Sequence, residues 1–167
     1  MSSTLSNATE ITFFFPITLL TKIEVEPTYQ DIHDAHFNLK TNAGSVQSDL
    51  GWGGNGLHVL VMRTALYRIL TGSAFNCLQH QRYLLVIPDG ATSSTTSKLV
   101  RQHKAHKTEF YITKSCGDAL KQHLLTAFVN DYVEIVKNAS VGFAKTTTLE
   151  LLNHLYDSYE TITPSVI

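Results

Sequence analysis

The side chains best suited to chemistry in this sequence occur as closely spaced pairs. His33 and His36 stand three apart beside Asp31 and Asp34, His103 and His106 repeat the interval, and Cys77 precedes His80 by the same step. On a helix that spacing puts both side chains on one face, where they could share a metal. A closed zinc site takes about four convergent ligands. Neither a zinc-knuckle pattern nor an HExxH helix is present, so the pairs read as polar helical faces and no metal is expected. Cys116 and His123 lie seven apart. That is two helical turns, about 10 Å, beyond the reach of a thiolate and its imidazole partner. There is no GxSxG elbow and no DTG or DSG triplet, and Asp31 with Asp34 is more simply a solvated face than a catalytic pair.

The stretch SDLGWGGNG, residues 48–56, holds four of the nine glycines: Gly51, Gly53, Gly54 and Gly56. A phosphate cradle would need Lys-Ser or Lys-Thr after the loop, or a strand leading into it. Neither is found, so the loop is expected to turn the chain, with Trp52 as a lid over the core. No catalytic residue, cofactor or small-molecule substrate is expected.

The 167 residues carry 13 Lys and Arg against 14 Asp and Glu, a net charge of -1, and only 16% of them are charged. Such a balance argues against a surface devoted to neutralising phosphates. Two cysteines are too few for a disulfide framework. The longest apolar run, residues 11–20, is interrupted by Pro16 and is too short to span a bilayer. No Lys or Arg precedes it, as a signal peptide would require. No membrane partner and a cytoplasmic location are therefore expected, and the glycosylation patterns at Asn7 and Asn138 carry no weight outside the secretory pathway.

Residues 1–26 are expected to form an arm, extended over residues 13–20 because Pro16 removes a hydrogen-bond donor. A helix starts near Thr28 or Tyr29, after Pro27, buries Ile32, Ala35 and Leu39, and stops before Gly44. Residues 57–70 read as one helix with a stripe through Leu60, Thr64, Tyr67 and Leu70, strand being the competing reading around residues 58–61, and Gly72 suits its C-terminal cap. After the turn at Pro88-Asp89-Gly90, the ATSSTTS run offers N-caps for a long helix. Its inner side is expected at Leu99, Gln102, His106, Phe110 and Thr113, with Lys98, Arg101, Lys104 and Lys107 outside as a solvated basic face. A break at residues 115–117 would make one kinked helix or two. Asp131 is expected to cap a short helix ending near Gly142. Thr147 with Glu150 forms a capping box for a final helix whose apolar face is Leu149, Leu152, Leu155, Tyr156 and Tyr159. Thr163 and Pro164 then look like the start of a further helix, so residues 163–167 are expected to open the next element of a longer polypeptide.

Two blocks go further than periodicity. LLTKIEVEPTYQDIHDAHFNLKTNAGSVQSDLGWGGNGLHVLVM, residues 19–62, resembles the amino-terminal region of Gag-like polyproteins of copia-type LTR retrotransposons. VIPDGAT, the long helix after it, and AFVNDYVEIVKNASVGFAKTTTLELLNHLYDSYETITPSVI look like the capsid region of the same proteins, in the same order. The insertion of Trp52 and the sequence QRYLLVIPDG depart from the family pattern. The resemblance implies an all-α, orthogonal multi-helix capsid-like domain over residues 27–162 that associates with itself into particles packaging the element's RNA, without catalytic activity. The alternative is a domesticated or decayed Gag fragment acting as a helical interaction module. Carried onto this chain, the structural or docking positions are Pro27 and Tyr29 at a helix start, Gly51 to Gly56 in the connecting loop, Gly53 and Gly54 among them, Asp131 at a short-helix cap, and Leu152, Leu155 and Tyr159 on the last helix; Trp52, which departs from the family, is a structural position through its place in that loop. RNA contact is expected through a basic or zinc-knuckle region beyond Ile167, or through weak cooperative contacts multiplied over a lattice.

Overall fold

The structure, a computed structural model, describes residues 8–48, 57–75 and 85–159. It is all-α: five α-helices and three short 3-10 turns, with no strand among the described residues. The glycine loop with Trp52, Gly53 and Gly54, the Cys77 and His80 pair, and residues 163–167 lie outside the described residues.

The arm is part of the core rather than an appendage to it. A single helical turn, α1 (Ala8–Thr12), buries Ile11, and Phe15 follows it into the interior. The extension expected over residues 13–20 starts later: Phe13, Phe14 and Phe15 donate back to the carbonyls of Glu10, Ile11 and Thr12 in turns, and only beyond Pro16 does the chain leave them, fastened at two points. The side-chain amide of Asn42 accepts a hydrogen bond from the Ile17 N–H (3.0 Å) and donates one to the Ile17 carbonyl (2.9 Å). Farther along, the Ile23 N–H donates to the Ala127 carbonyl at 2.6 Å, beside an isolated parallel bridge between Ile23 and Phe128. Both contacts pair backbone groups at the two half-buried points, Ile17 and Ile23, of a largely exposed segment.

Helix α2 (Tyr29–Ser45) starts at a capping box. Thr28 Oγ1 accepts from the Asp31 N–H, and the Thr28 N–H donates to the Asp31 carboxylate. Two of the helix's orphan donors are so satisfied. Ile32, Ala35, Leu39 and Ala43 are buried along one face. The helix runs through Gly44 instead of stopping before it. Gly44 serves here for close approach: a Cβ would lie 2.5 Å from Cε1 of His58.

Residues 57–70 do not form one helix. His58–Val61 is a 3-10 turn that buries Val61, Met62 and Arg63 are extended, and α3 (Thr64–Thr71) then begins. The β-branched Val59 and Val61 lose side-chain freedom in a helix, and the break lets Val61 face inward while α3 turns away. Of the expected stripe, Tyr67 is buried and Leu60 half-buried, whereas Thr64 and Leu70 are exposed. Gly72 closes α3 with φ 78°, its N–H bonded to the Arg68 carbonyl. That angle is open to glycine at little steric cost.

Helix α4 (Ser93–Ala127) is a single 35-residue helix, about 52 Å long. Thr92 Oγ1 caps it by accepting from the Thr95 N–H. There is no break at residues 115–117. Its buried residues, Ser115, Cys116, Ala119, Leu120, Leu124 and Ala127, all belong to the C-terminal part. The expected inner side of the N-terminal part is not core: Gln102 and His106 are exposed, and Leu99, Phe110 and Thr113 are half-buried.

After α4, two 3-10 turns, Asn130–Tyr132 and Glu134–Val136, stand where a short helix was expected. Asp131 lies inside the first turn, exposed to solvent, and makes no capping bond; the cap position belongs to Val129. Val133, buried between the two turns, and its β-branched neighbours Ile135 and Val136 disfavour a longer helix here. Helix α5 (Thr148–Tyr159) opens with the expected box, the Thr147 N–H donating to Glu150 and the Glu150 N–H donating to Thr147 Oγ1, both at 3.1 Å. Leu151, Leu152 and Leu155 carry it into the core shared with α2, the 58–61 turn and the C-terminal part of α4.

Candidate functional site

Two clefts flank α5. The smaller, about 180 Å³, is lined by Tyr29, His36, Arg63, Leu149, Leu152, Asn153 and Tyr156. His36 of α2 is placed one turn after Ile32, at the edge of the buried face, and both of its ring nitrogens are engaged. Nε2 lies 2.6 Å from the Val61 carbonyl, and Nδ1 lies 2.9 Å from the Tyr156 hydroxyl. A carbonyl only accepts, so Nε2 carries the proton and Nδ1 accepts from the tyrosine. Burial pushes the His36 pKa below its ordinary value, with Lys40, His33 and Arg63 acting in the same direction and the Val61 carbonyl opposing. The ring is thus a neutral strut joining α2, the 58–61 turn and α5, not a free base. Tyr29, with its ring 6.1 Å from that of Tyr156, covers the cluster from the start of α2.

The larger cleft, about 380 Å³, lies between the middle of α4 and the start of α5. Leu60, Phe110 and Gly117 are among its apolar lining, and Lys114, Lys121 and Lys145 are among its cations. Two of these cations are held by the protein. Lys114 pairs with Asp118 at 3.1 Å, and Lys121 donates to the Phe143 carbonyl at 3.0 Å. Thr148 Oγ1 donates to the Gly117 carbonyl, joining the two helices across the cleft. Among the described residues no cysteine or histidine lines it.

The remaining reactive groups are spread through the fold. Cys116 is fully buried, and burial pushes its thiol up to about 12. His123 stacks edge-on against Phe15 at 5.3 Å and is pushed below its ordinary value by burial. Among the described residues no three of His, Cys, Asp and Glu come together as a metal would need. No helix of the described residues is long and apolar enough to cross a membrane.

Of the positions singled out from the sequence, Pro27 is buried just before the α2 cap, and Leu152 and Leu155 lie in the core. Tyr159 is half-buried, edge-on to Tyr132 at 5.5 Å. Tyr29 and Leu152 meet at the smaller cleft, whereas Asp131 is on the surface apart from it. What sequence reasoning missed is the role of His36, whose partners lie 25 and 120 residues away. It also missed an outward apolar face. On α3, Leu66, Ile69 and Leu70 are 43%, 78% and 46% exposed, at spacings that put them side by side. No protein-family model matches the chain, and no curated protein or solved structure matches it either.

Proposed function

We propose that this chain is a capsid-like domain of a Gag-like structural protein of the copia type, which acts in the cytoplasm by associating with copies of itself into particles that enclose the element's RNA. The observation that carries the reading is the apolar face of α3. Leu66, Ile69 and Leu70 point to solvent from a helix whose inward residue is Tyr67, and Phe13, Leu19 and Phe37 are also largely exposed. Adjacent exposed apolar side chains, such as the three on α3, offer a surface on which another protein packs. A second copy is the occupant that the family resemblance supplies. The all-helical fold agrees with this reading, as does the engagement of His36, Cys116, Lys114 and Lys121 in packing and internal bonds.

The test is light scattering and electron microscopy of the full chain across a hundredfold range of concentration. The parent is expected to form oligomers or particles, and Ile69→Asp, which places a charge at the centre of the α3 face, is expected to stay monomeric with an unchanged helical spectrum. A parent that remains monomeric throughout, or an Ile69→Asp variant that assembles like the parent, refutes the reading.

A further inference from the structure

The chain is near neutral, but its charge is not evenly placed. From Lys98 to Lys114 it carries Lys98, Arg101, Lys104, Lys107 and Lys114 against Glu109 alone, a local +4 that leaves -5 for the rest of a chain whose net charge is -1. This stretch falls in the part of α4 where no residue from 93 to 114 is fully buried, although its end reaches the core, where Ile112 packs against the buried cluster and Glu109 meets Ser48. Lys98, Arg101, Lys104 and Lys107 are all exposed and have no acidic partner among the described residues. Of the acids nearest in sequence, Glu109 accepts from the Ser48 hydroxyl and Asp118 pairs with Lys114, while Asp89, exposed ahead of the helix, forms no ion pair with any of the four. Four cations without an acidic partner on one helix repel one another, and like charges at these spacings destabilise a helix. An anionic partner removes that cost.

The spacing tells which anion fits. Each cation follows the last by three residues, a rise of about 4.5 Å and a turn of about 60° backward around the axis. Lys98 and Lys107 therefore face opposite sides of the helix, and the four together describe an arc rather than a line. A planar membrane or a stiff duplex meets at most two or three of them. A second copy of this helix would bring +4 against +4. A flexible single strand, with a charge on every nucleotide, can follow the arc. The half-buried Leu99, His103 and Phe110 occupy the opposite side of the helix; within the arc's own sector Val100 and Thr108 are half-buried, while the four cations themselves are exposed.

We propose that the arc Lys98, Arg101, Lys104 and Lys107 on α4 binds the phosphate backbone of single-stranded RNA, independently of sequence. The choice of RNA as the strand rests on the function proposed above. The arc sets phosphate contact within the capsid-like domain itself, in place of leaving all of it to a basic region elsewhere.

The test is fluorescence anisotropy of the full chain with a labelled, mixed-sequence single-stranded RNA at several salt concentrations. Four phosphate contacts predict a slope of log affinity against log salt of about -2.8, a fall of about 50-fold between roughly 50 and 200 mM. Arg101→Gln, Lys104→Gln and Lys107→Gln together are expected to weaken binding at least about tenfold at low salt and to flatten the slope toward about -0.7. Lys22→Gln, Lys40→Gln and Lys137→Gln together, removing equal charge elsewhere, are expected to leave affinity within about threefold of the parent at the same salt. A slope near zero, equal loss in the two triple variants, or arc-dependent binding to phosphatidylserine vesicles with RNA binding unchanged would overturn the proposal. Assembly is read separately by light scattering: the arc variant still assembles if the capsid reading holds, and Ile69→Asp still binds RNA if the arc acts as stated.

Discussion

Replacing Asn42 by alanine is expected to destabilise the fold by about 2–4 kcal/mol, given the value of two buried hydrogen bonds and the cost of leaving their partners unpaired. Asn42 is fully buried on α2, and its one amide holds both the N–H and the carbonyl of Ile17, at 3.0 and 2.9 Å. Two such bonds contribute about 1–3 kcal/mol net, and two orphaned buried groups cost about 2–6 kcal/mol. Ile17 is half-buried, so water recovers part of the loss, and alanine returns about 0.6 kcal/mol of helix propensity. Urea unfolding followed by circular dichroism reads the result as a lower midpoint, and amide exchange at Ile17 should rise because its N–H has lost its acceptor. Asn42→Asp separates hydrogen bonding from packing. A protonated carboxyl reproduces the asparagine pattern, accepting from the Ile17 N–H and donating to its carbonyl, whereas an ionised one faces that carbonyl with a charge. The aspartate variant should therefore approach the parent, compared at equal pH, as its carboxyl becomes protonated. A loss under about 0.5 kcal/mol for Asn42→Ala, or an Asn42→Asp penalty that does not move with pH, refutes the claim that this amide fastens the arm.

Two further outcomes follow from buried titratable groups. His36 is held neutral by burial, its folded pKa lying below the unfolded value near 6.5, so its contribution to stability is present above about pH 6.5 and is lost as pH falls through the lowered folded value. His36→Gln should flatten that part of the stability profile measured by urea unfolding, and an unchanged profile would count against the strut. The Cys116 thiol, buried and pushed up to about 12, should resist iodoacetamide in the native protein and react once denaturant is added, as read by mass mapping of its peptide. Rapid native labelling of that peptide would show that the core around α4 opens.

The features legible in the sequence were those set by neighbours along the chain. Thr147 and Glu150 spell a capping box in the usual letters, Gly72 marks the end of α3, and Ile32, Ala35 and Leu39 repeat at helical spacing; each is found as read. The Thr28 box escaped notice because its third helical residue is Asp31 rather than Glu or Gln. Residues 57–70 misled because an almost unbroken apolar run has no clear period, and the 3-10 turn at His58–Val61 is decided by what Val61 and His58 pack against. The fastening of Ile17 by Asn42 and of His36 by Tyr156 joins residues far apart in sequence, and nothing in either local pattern announces the partner.

Helix α4 exposes the more general limit. Its N-terminal stripe through Leu99, His106 and Phe110 has helical spacing as good as that of the buried face through Cys116, Leu120 and Leu124, yet only the second is core. Periodicity says which side of a helix is apolar; it does not say whether anything covers that side. The same holds for the charges. Lys98, Arg101, Lys104 and Lys107 read as an ordinary solvated face so long as acidic neighbours are presumed to balance them across the fold. Once the four cations are seen to be exposed on α4 with no acidic partner among the described residues, that balance is missing locally, although the chain as a whole is close to neutral. Net charge averages over the surface, whereas a partner meets one face at a time. A near-zero total is therefore compatible with two separate contact surfaces: the apolar stripe of α3 for another protein and the arc on α4 for a polyanion.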